Sequence, residues 1–318
     1  DTLQSVANEG RELDVFVYSA AISACAEASQ WQHALGILWA MGSAKVDANT
    51  ITYNAVITAC GKGEQWLRAL GMLRDMDSAR VVADTITYNA VISACDRGGQ
   101  WNQSIFLLSV MASLRVSVNT ITCSTAISAC EKGSQWHRAL HLLASMRHDR
   151  VAANTITYNA AISACGSGMQ WLHAINLMRT MRNRNVVCDI ITHNAAISAC
   201  EKGVQWRLAL RQLDDMRRTQ VSANTITCSA AISACERDSQ WQQALSLLGQ
   251  MAHVRIVANT VTCTACIGAC SRGFQWLTSL ALLHGMREAN VLANAATYKA
   301  SIIACGMAQQ WQQALALF

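Results

Sequence analysis

The chain has 318 residues, a formal net charge of +5, 52% hydrophobic and 14% charged residues, and no proline. That composition excludes collagen, proline-rich linkers and PPII ligands, and it is too apolar for a disordered chain. No apolar run reaches the ~20 residues that a membrane-spanning helix needs, and the mild positive charge permits a polyanionic partner without demanding one.

No signal or transit peptide is visible at Asp1. The chain does not start with Met and stops inside an apolar pattern, so it reads as a piece of a longer protein. Residues 1–14 resemble the tail of a repeat, with Leu3 and Val6 on one helix face. A strict period of 35 follows. Nine of the ten Trp keep it, from Trp31 to Trp311, each after a Gln. Nine Cys, from Cys25 to Cys305, and eight Met, from Met41 to Met286, keep it too. The eight complete repeats are 15–49, 50–84, 85–119, 120–154, 155–189, 190–224, 225–259 and 260–294, with a partial ninth at 295–318.

Each unit predicts two helices. Tyr53, Val56, Ile57 and Cys60 fall at i, i+3, i+4, i+7 and form one apolar stripe. Thr50 or Thr52 supplies a hydroxyl as the N-cap. Gly63 stands at the helix end, where a left-handed residue is expected, and six of the nine repeats have Gly there. Trp66, Ala69, Leu70, Leu73 and Met76 make a second stripe, with Trp expected to fill the core. Neither helix can bury its stripe alone. The expected fold is therefore all-α: a right-handed α-solenoid, or superhelix, of 35-residue helix-turn-helix repeats, with no second globular domain.

The fourteen Cys read as small core residues in a reducing compartment. Stacked helices ~8–10 Å apart are too distant for a disulfide ladder. Cys263 and Cys266 form a lone C-x-x-C in a predicted first helix, and His137 and His141 an i, i+4 pair with no carboxylate partner. No metal, cofactor or catalytic residue is expected.

Two polar positions lie off the stripes. Position 5 is Ser19, Asn54, Asn89, Ser124, Asn159, Asn194, Ser229 and Thr264. Position 35 is Asn49, Asp84, Asn119, Asn154, Asp189, Asn224, Asn259 and Asn294. Position 2 is apolar throughout: Phe16, Ile51, Ile86, Ile121, Ile156, Ile191, Ile226 and Val261. Positions 2 and 5 share a helix face. An apolar shelf with a polar pair in every unit suits a flat ring whose edge is hydrogen-bonded, whereas helix capping is the competing explanation of the polar positions. Position 13 carries Lys62, Arg97, Lys132, Lys202, Arg237 and Arg272. Such a row suits a phosphate backbone and equally suits helix C-termini.

The unit Thr-Ile-Thr-Tyr-Asn-Ala-x-Ile-Ser-Ala-Cys-x-Lys-Gly, then Ala-Leu, Met and a final Asp or Asn, resembles the pentatricopeptide repeat in its plain 35-residue class, over residues 15–318. Departures are the Trp in place of Leu, Ala48, Ala83 and Ala153 in place of Pro, and Cys123, Cys228 and Cys263 in place of Tyr. The resemblance implies a single-stranded RNA binder taking one base per repeat. Ser or Thr with Asn (Ser19/Asn49, Ser124/Asn154, Ser229/Asn259, Thr264/Asn294) implies adenine. Asn with Asp (Asn54/Asp84, Asn159/Asp189) implies uracil, and Asn with Asn (Asn89/Asn119, Asn194/Asn224) a pyrimidine. The implied tract is A-U-Y-A-U-Y-A-A. The resemblance further implies a mitochondrial or plastid monomer, off the membrane, acting in RNA processing, stability or translation, with protein partners supplying any catalysis. The rivals are a protein-binding scaffold of the tetratricopeptide kind and the guide region of a larger enzyme.

Overall fold

The computed structural model describes residues 14–317, and every regular element among them is an α-helix. The expected remnant at residues 1–14 lies outside the described residues apart from Asp14, as does Phe318. The hairpins are α1 (Val15–Glu27) with α2 (Trp31–Ser43), α3 (Thr50–Lys62) with α4 (Trp66–Ser78), α5 (Thr85–Arg97) with α6 (Trp101–Ser113), and α7 (Thr120–Lys132) with α8 (Trp136–His148). Next come α9 (Thr155–Ser167) with α10 (Trp171–Asn183), α11 (Ile190–Lys202) with α12 (Trp206–Arg218), and α13 (Thr225–Arg237) with α14 (Trp241–His253). The last are α15 (Thr260–Arg272) with α16 (Trp276–Glu288), and α17 (Ala295–Met307) with α18 (Trp311–Leu317). The chain divides into two compact units, Asp1–Ala160 and Ala161–Phe318. Each is an α-solenoid of stacked hairpins.

Within a unit, each first helix packs on the first helix of the next hairpin, and each second helix packs on its own partner and on the following first helix. Val56, Ile57, Ala59 and Cys60 of α3 are wholly buried, as are Ala69 and Met76 of α4. The equivalent Ile92, Ile127, Ile197, Ile232 and Ile267 are also fully inside, each contributing roughly 1.5–3 kcal/mol. The beat cysteines from Cys60 onward are buried free thiols. Burial pushes Cys95 and Cys165 up to about 11 and Cys200 to about 12. They are protonated and unreactive at neutral pH.

The turn between the two helices departs from expectation. Gly63, Gly98, Gly133, Gly203 and Gly273 have φ between −87° and −78°, an ordinary helical value. The left-handed residue is the next one: Glu64, Ser134, Val204 and Phe274 have φ of 54–58°. A 6→1 bond such as Gln65 N–H to Cys60 O, 2.9 Å, closes the turn. The glycine has a different cause. A Cβ at position 14 would run into the Trp of the preceding repeat: Trp31 over Gly63, Trp66 over Gly98, Trp101 over Gly133, Trp171 over Gly203, Trp241 over Gly273. The indoles are consequently half-buried lids on the joint between hairpins and not core fillers. Arg68 lies 4.6 Å over Trp31, and Arg138 lies 4.7 Å over Trp101.

Neighbouring substitutions should therefore act in opposite directions. Gly133→Ala should lower stability by ~1–3 kcal/mol through overpacking against Trp101. Ser134→Gly should raise it by about 1 kcal/mol by relieving a left-handed L-residue. The midpoints of urea denaturation check both.

His193, where other repeats carry Tyr or Cys, is fully buried. Burial foremost, then Arg182, lowers its pKa, against the opposing pull of Asp215, Gln212 and Asp189. The native state thus binds fewer protons at this site than the unfolded chain. Stability should be full above the unfolded imidazole value near ~6.5 and fall as pH drops through it. Denaturation midpoints at pH 5 and pH 8 should differ less in His193→Tyr than in the unaltered chain.

Candidate functional site

The position-2 side chains are exposed apolar residues at the starts of the first helices. Phe16 is 82% exposed, and Ile51, Ile86, Ile121, Ile156, Ile191, Ile226 and Val261 range from 59% to 67%. Most of each side chain is open, so burial is a minor reason for keeping them apolar.

Position 35 is the N-cap of the next first helix, so the cap expected at Thr50 or Thr52 is corrected. Oδ1 of Asn49 accepts from Thr52 N–H at 2.9 Å and that of Asp84 from Thr87 N–H at 2.8 Å. Asn119, Asn154, Asp189, Asn224, Asn259 and Asn294 do the same for Thr122, Thr157, Thr192, Thr227, Thr262 and Thr297. Capping is therefore real, and it engages one end of each side chain. Burial alone would raise the Asp84 carboxyl. Hydrogen bonds from the Thr87 N–H and hydroxyl, from Asn54 and from the Ile86 backbone outweigh it and hold the carboxyl below its ordinary value.

The threonine at position 3 is wholly buried and joins the two polar positions. The Thr52 hydroxyl lies 3.0 Å from Asn49 Oδ1 and 2.8 Å from Ser19 Oγ. Thr122 reaches Asn119 at 2.9 Å and Asn89 at 2.6 Å; Thr157 reaches Asn154 at 2.9 Å and Ser124 at 2.7 Å. In the second unit Thr227 joins Asn224 to Asn194, Thr262 joins Asn259 to Ser229, and Thr297 joins Asn294 to Thr264. In the second repeat the pair meets directly, with Asn54 Nδ2 donating to Asp84 Oδ1 at 3.5 Å. Within each unit, positions 5 and 35 of one repeat thus converge on the first turn of the next. Ser19, Ser124, Asn159 and Ser229 recede further than expected and are buried, whereas Asn54, Asn89, Asn194 and Thr264 are half-buried.

Position 13 has partners inside the chain. Lys62 pairs with Glu27 at 3.1 Å, Lys132 with Asp96 at 2.9 Å, Arg237 with Glu201 at 3.7 Å and Arg272 with Glu236 at 3.3 Å. Each pair ties one hairpin to the one before. Arg97 and Lys202 follow hairpins with Gly61 and Gly166 in the place of the acid, and no ion pair forms at them among the described residues. Position 31 offers another row: Lys45, Arg80, Arg115 and Arg150 in the first unit and Arg255 in the second are exposed and in no ion pair with a described residue. The Thr50 hydroxyl donates to Val82 O at 3.3 Å, and Thr120 to Ala152 O at 2.9 Å. These bonds bring the end of each second helix to the start of its first. Position 31 therefore sits at the same end of the hairpin as positions 2, 5 and 35, whereas position 13 lies ~12 Å further along the helix than position 5.

Family comparison gives the arrangement its context. The pentatricopeptide repeat domain model matches residues 2–63, 106–168, 176–237 and 211–273; PPR repeat models also match residues 48–97 and 156–186. The chain belongs to the pentatricopeptide repeat family. No curated protein sequence matches this pentatricopeptide repeat chain. The crystal structure of PPR10 from maize superposes with a TM-score of 0.58 at 17% identity, covering 96% of this chain and 49% of that one. PPR10 in complex with an 18-nt psaJ RNA element gives 0.51 at 16% identity, covering 95% and 54%. The chain thus spans about half the length of these solved relatives, and at such identities the likeness is one of fold.

Two features of the pentatricopeptide repeats escaped the sequence reading. The position-3 threonine recurs in eight repeats from Thr52 to Thr297, a signal as strong as the Trp. Three of the four position-13 ion pairs link residues 36 apart, as Lys132 to Asp96, one step off the period, while Lys62 and Glu27 keep it.

Proposed function

We propose that this chain binds single-stranded RNA, one nucleobase per repeat, with the preferred tract A-U-Y-A-U-Y-A-A. The observation that carries the reading is the row of exposed apolar side chains at position 2, each beside a polar pair at the same helix start. An apolar surface next to a hydrogen-bonding edge matches a nucleobase, which has a π-face to cover and an edge to satisfy. The RNA-bound PPR10 structure, of the same fold, supports the choice of ligand. Phosphates fall best to Lys45, Arg80, Arg115, Arg150 and Arg255, because most of the position-13 cations already hold neighbouring hairpins together. In this reading the repeats select a transcript in a mitochondrion or plastid, and partners carry out any processing.

Exchanging one pair tests the base assignment. Asn54→Thr with Asp84→Asn should move the preference at the second base from U to A, by ~1–3 kcal/mol per site. Filter binding with strands differing only there gives the answer, and indifference to the exchange sinks base reading. In the same assay, the triple change Arg80→Ala, Arg115→Ala, Arg150→Ala should flatten the slope of log K against log salt by about 2, at ~0.7 per single-strand phosphate. Removing Lys132 should leave the slope nearly unchanged.

A further inference from the structure

We propose that the buried threonine at position 3 sets which donors and acceptors the preceding 5–35 pair shows to a base. The inference rests on the RNA reading above and supplies a chemical reason for its base assignments.

A threonine hydroxyl has one proton and two lone pairs. The cap Oδ1 lies 2.8–3.0 Å from that hydroxyl in the eight capped repeats, and it also accepts the backbone N–H of the same threonine. Oδ1 can only accept, so the threonine proton goes to it. Two consequences follow. The cap side chain is fixed with Oδ1 inward, so an Asn at position 35 turns its Nδ2 donor outward and an Asp turns its Oδ2 acceptor outward. The threonine oxygen, its proton committed, acts only as an acceptor: it takes the cap residue's own backbone N–H in seven repeats, and toward position 5 it can only accept.

Ser19, Ser124 and Ser229, 2.6–2.8 Å from their threonines, must then donate inward and present lone pairs outward. Ser with Asn thus shows an acceptor and a donor, which complement the N6 amino group and N1 of adenine. Thr122 lies within 2.9 Å of both Asn119 Oδ1 and Asn89 Oδ1, two acceptors for one proton. The Asn119 carbonyl is pinned by its cap bond, so balance is reached when the Asn89 amide turns through 180°, donating Nδ2 and facing Oδ1 outward. Asn with Asn then complements the N4 amino group and N3 of cytosine. Asp84 instead turns an acceptor outward, which suits the N3–H of uracil, while Asn54 Nδ2 is drawn to its inner oxygen.

The first repeat provides a contrast within the chain. Asp14 stands at the N-cap of α1, but position 3 there is Val17, and the Asp14 side chain makes no cap bond. Val17 is 43% exposed, whereas the threonines at the capped helix starts are wholly buried, so α1 lacks both the hydroxyl and its enclosed setting.

The test is base selectivity at the second position of the tract, measured for the unaltered chain, Thr87→Val and Thr87→Ser, with circular dichroism confirming that each is folded. The unaltered chain should prefer U over C by ~10-fold. Thr87→Val should bring that ratio below threefold, Thr87→Ser should restore it, and selectivity at the fourth base, read by Ser124 and Asn154, should stay constant as the internal control. Thr227→Val asks the same question at Asn194 and Asn224, should Thr87→Val not fold. Undiminished selectivity in a folded valine variant overturns this inference alone. An unaltered chain that binds every strand equally, or none, overturns the RNA reading and this inference together.

Discussion

The seam between one hairpin and the next governs this molecule. Two short helices cannot bury their apolar stripes against each other alone, so each hairpin completes its core only when another is laid on it. Two contacts fix how that is done. At one end of the hairpin, in five repeats, an indole closes over a glycine that has no room for a Cβ. At the other a buried threonine ties a helix start to the polar side chains of the preceding repeat. Both need a constant spacing, which explains why the period tolerates no insertion.

The two ends of the hairpin have different roles. The end carrying Trp, Gly and the position-13 cations is adhesive: its charges are largely matched, Lys132 to Asp96 and Arg272 to Glu236. The end carrying positions 2, 5, 31 and 35 combines, repeat after repeat, an exposed apolar side chain with half-satisfied polar groups, and it carries the exposed cations Lys45, Arg80, Arg115, Arg150 and Arg255. An exposed apolar side chain beside a polar capping residue is poor packing, and it is repeated too faithfully to be incidental.

The architecture was legible in the sequence because helical periodicity is set by residues such as Tyr53, Val56, Ile57 and Cys60, all of which are buried. The reasons behind single residues were harder to read. A glycine at a helix end has two physical uses, left-handed backbone and close approach, and only the φ of Gly63 separates them. Thr50 and Thr52 are equivalent as letters, and the backbone turn at Asn49 decides that Thr52 lies inside the cap while Thr50 bonds a distant carbonyl. The position-13 row looked like a phosphate track because its acids belong to the preceding repeat and are met only after stacking.

Asparagine and aspartate cap a helix about equally well, because both offer the same inner oxygen to the first turn. They differ in the atom left on the outside. An exchange between them at position 35 therefore rewrites what a repeat displays while leaving its support untouched. Structure and message are carried by opposite ends of one side chain, and an array built this way is free to drift from one target to another without passing through an unfolded ancestor.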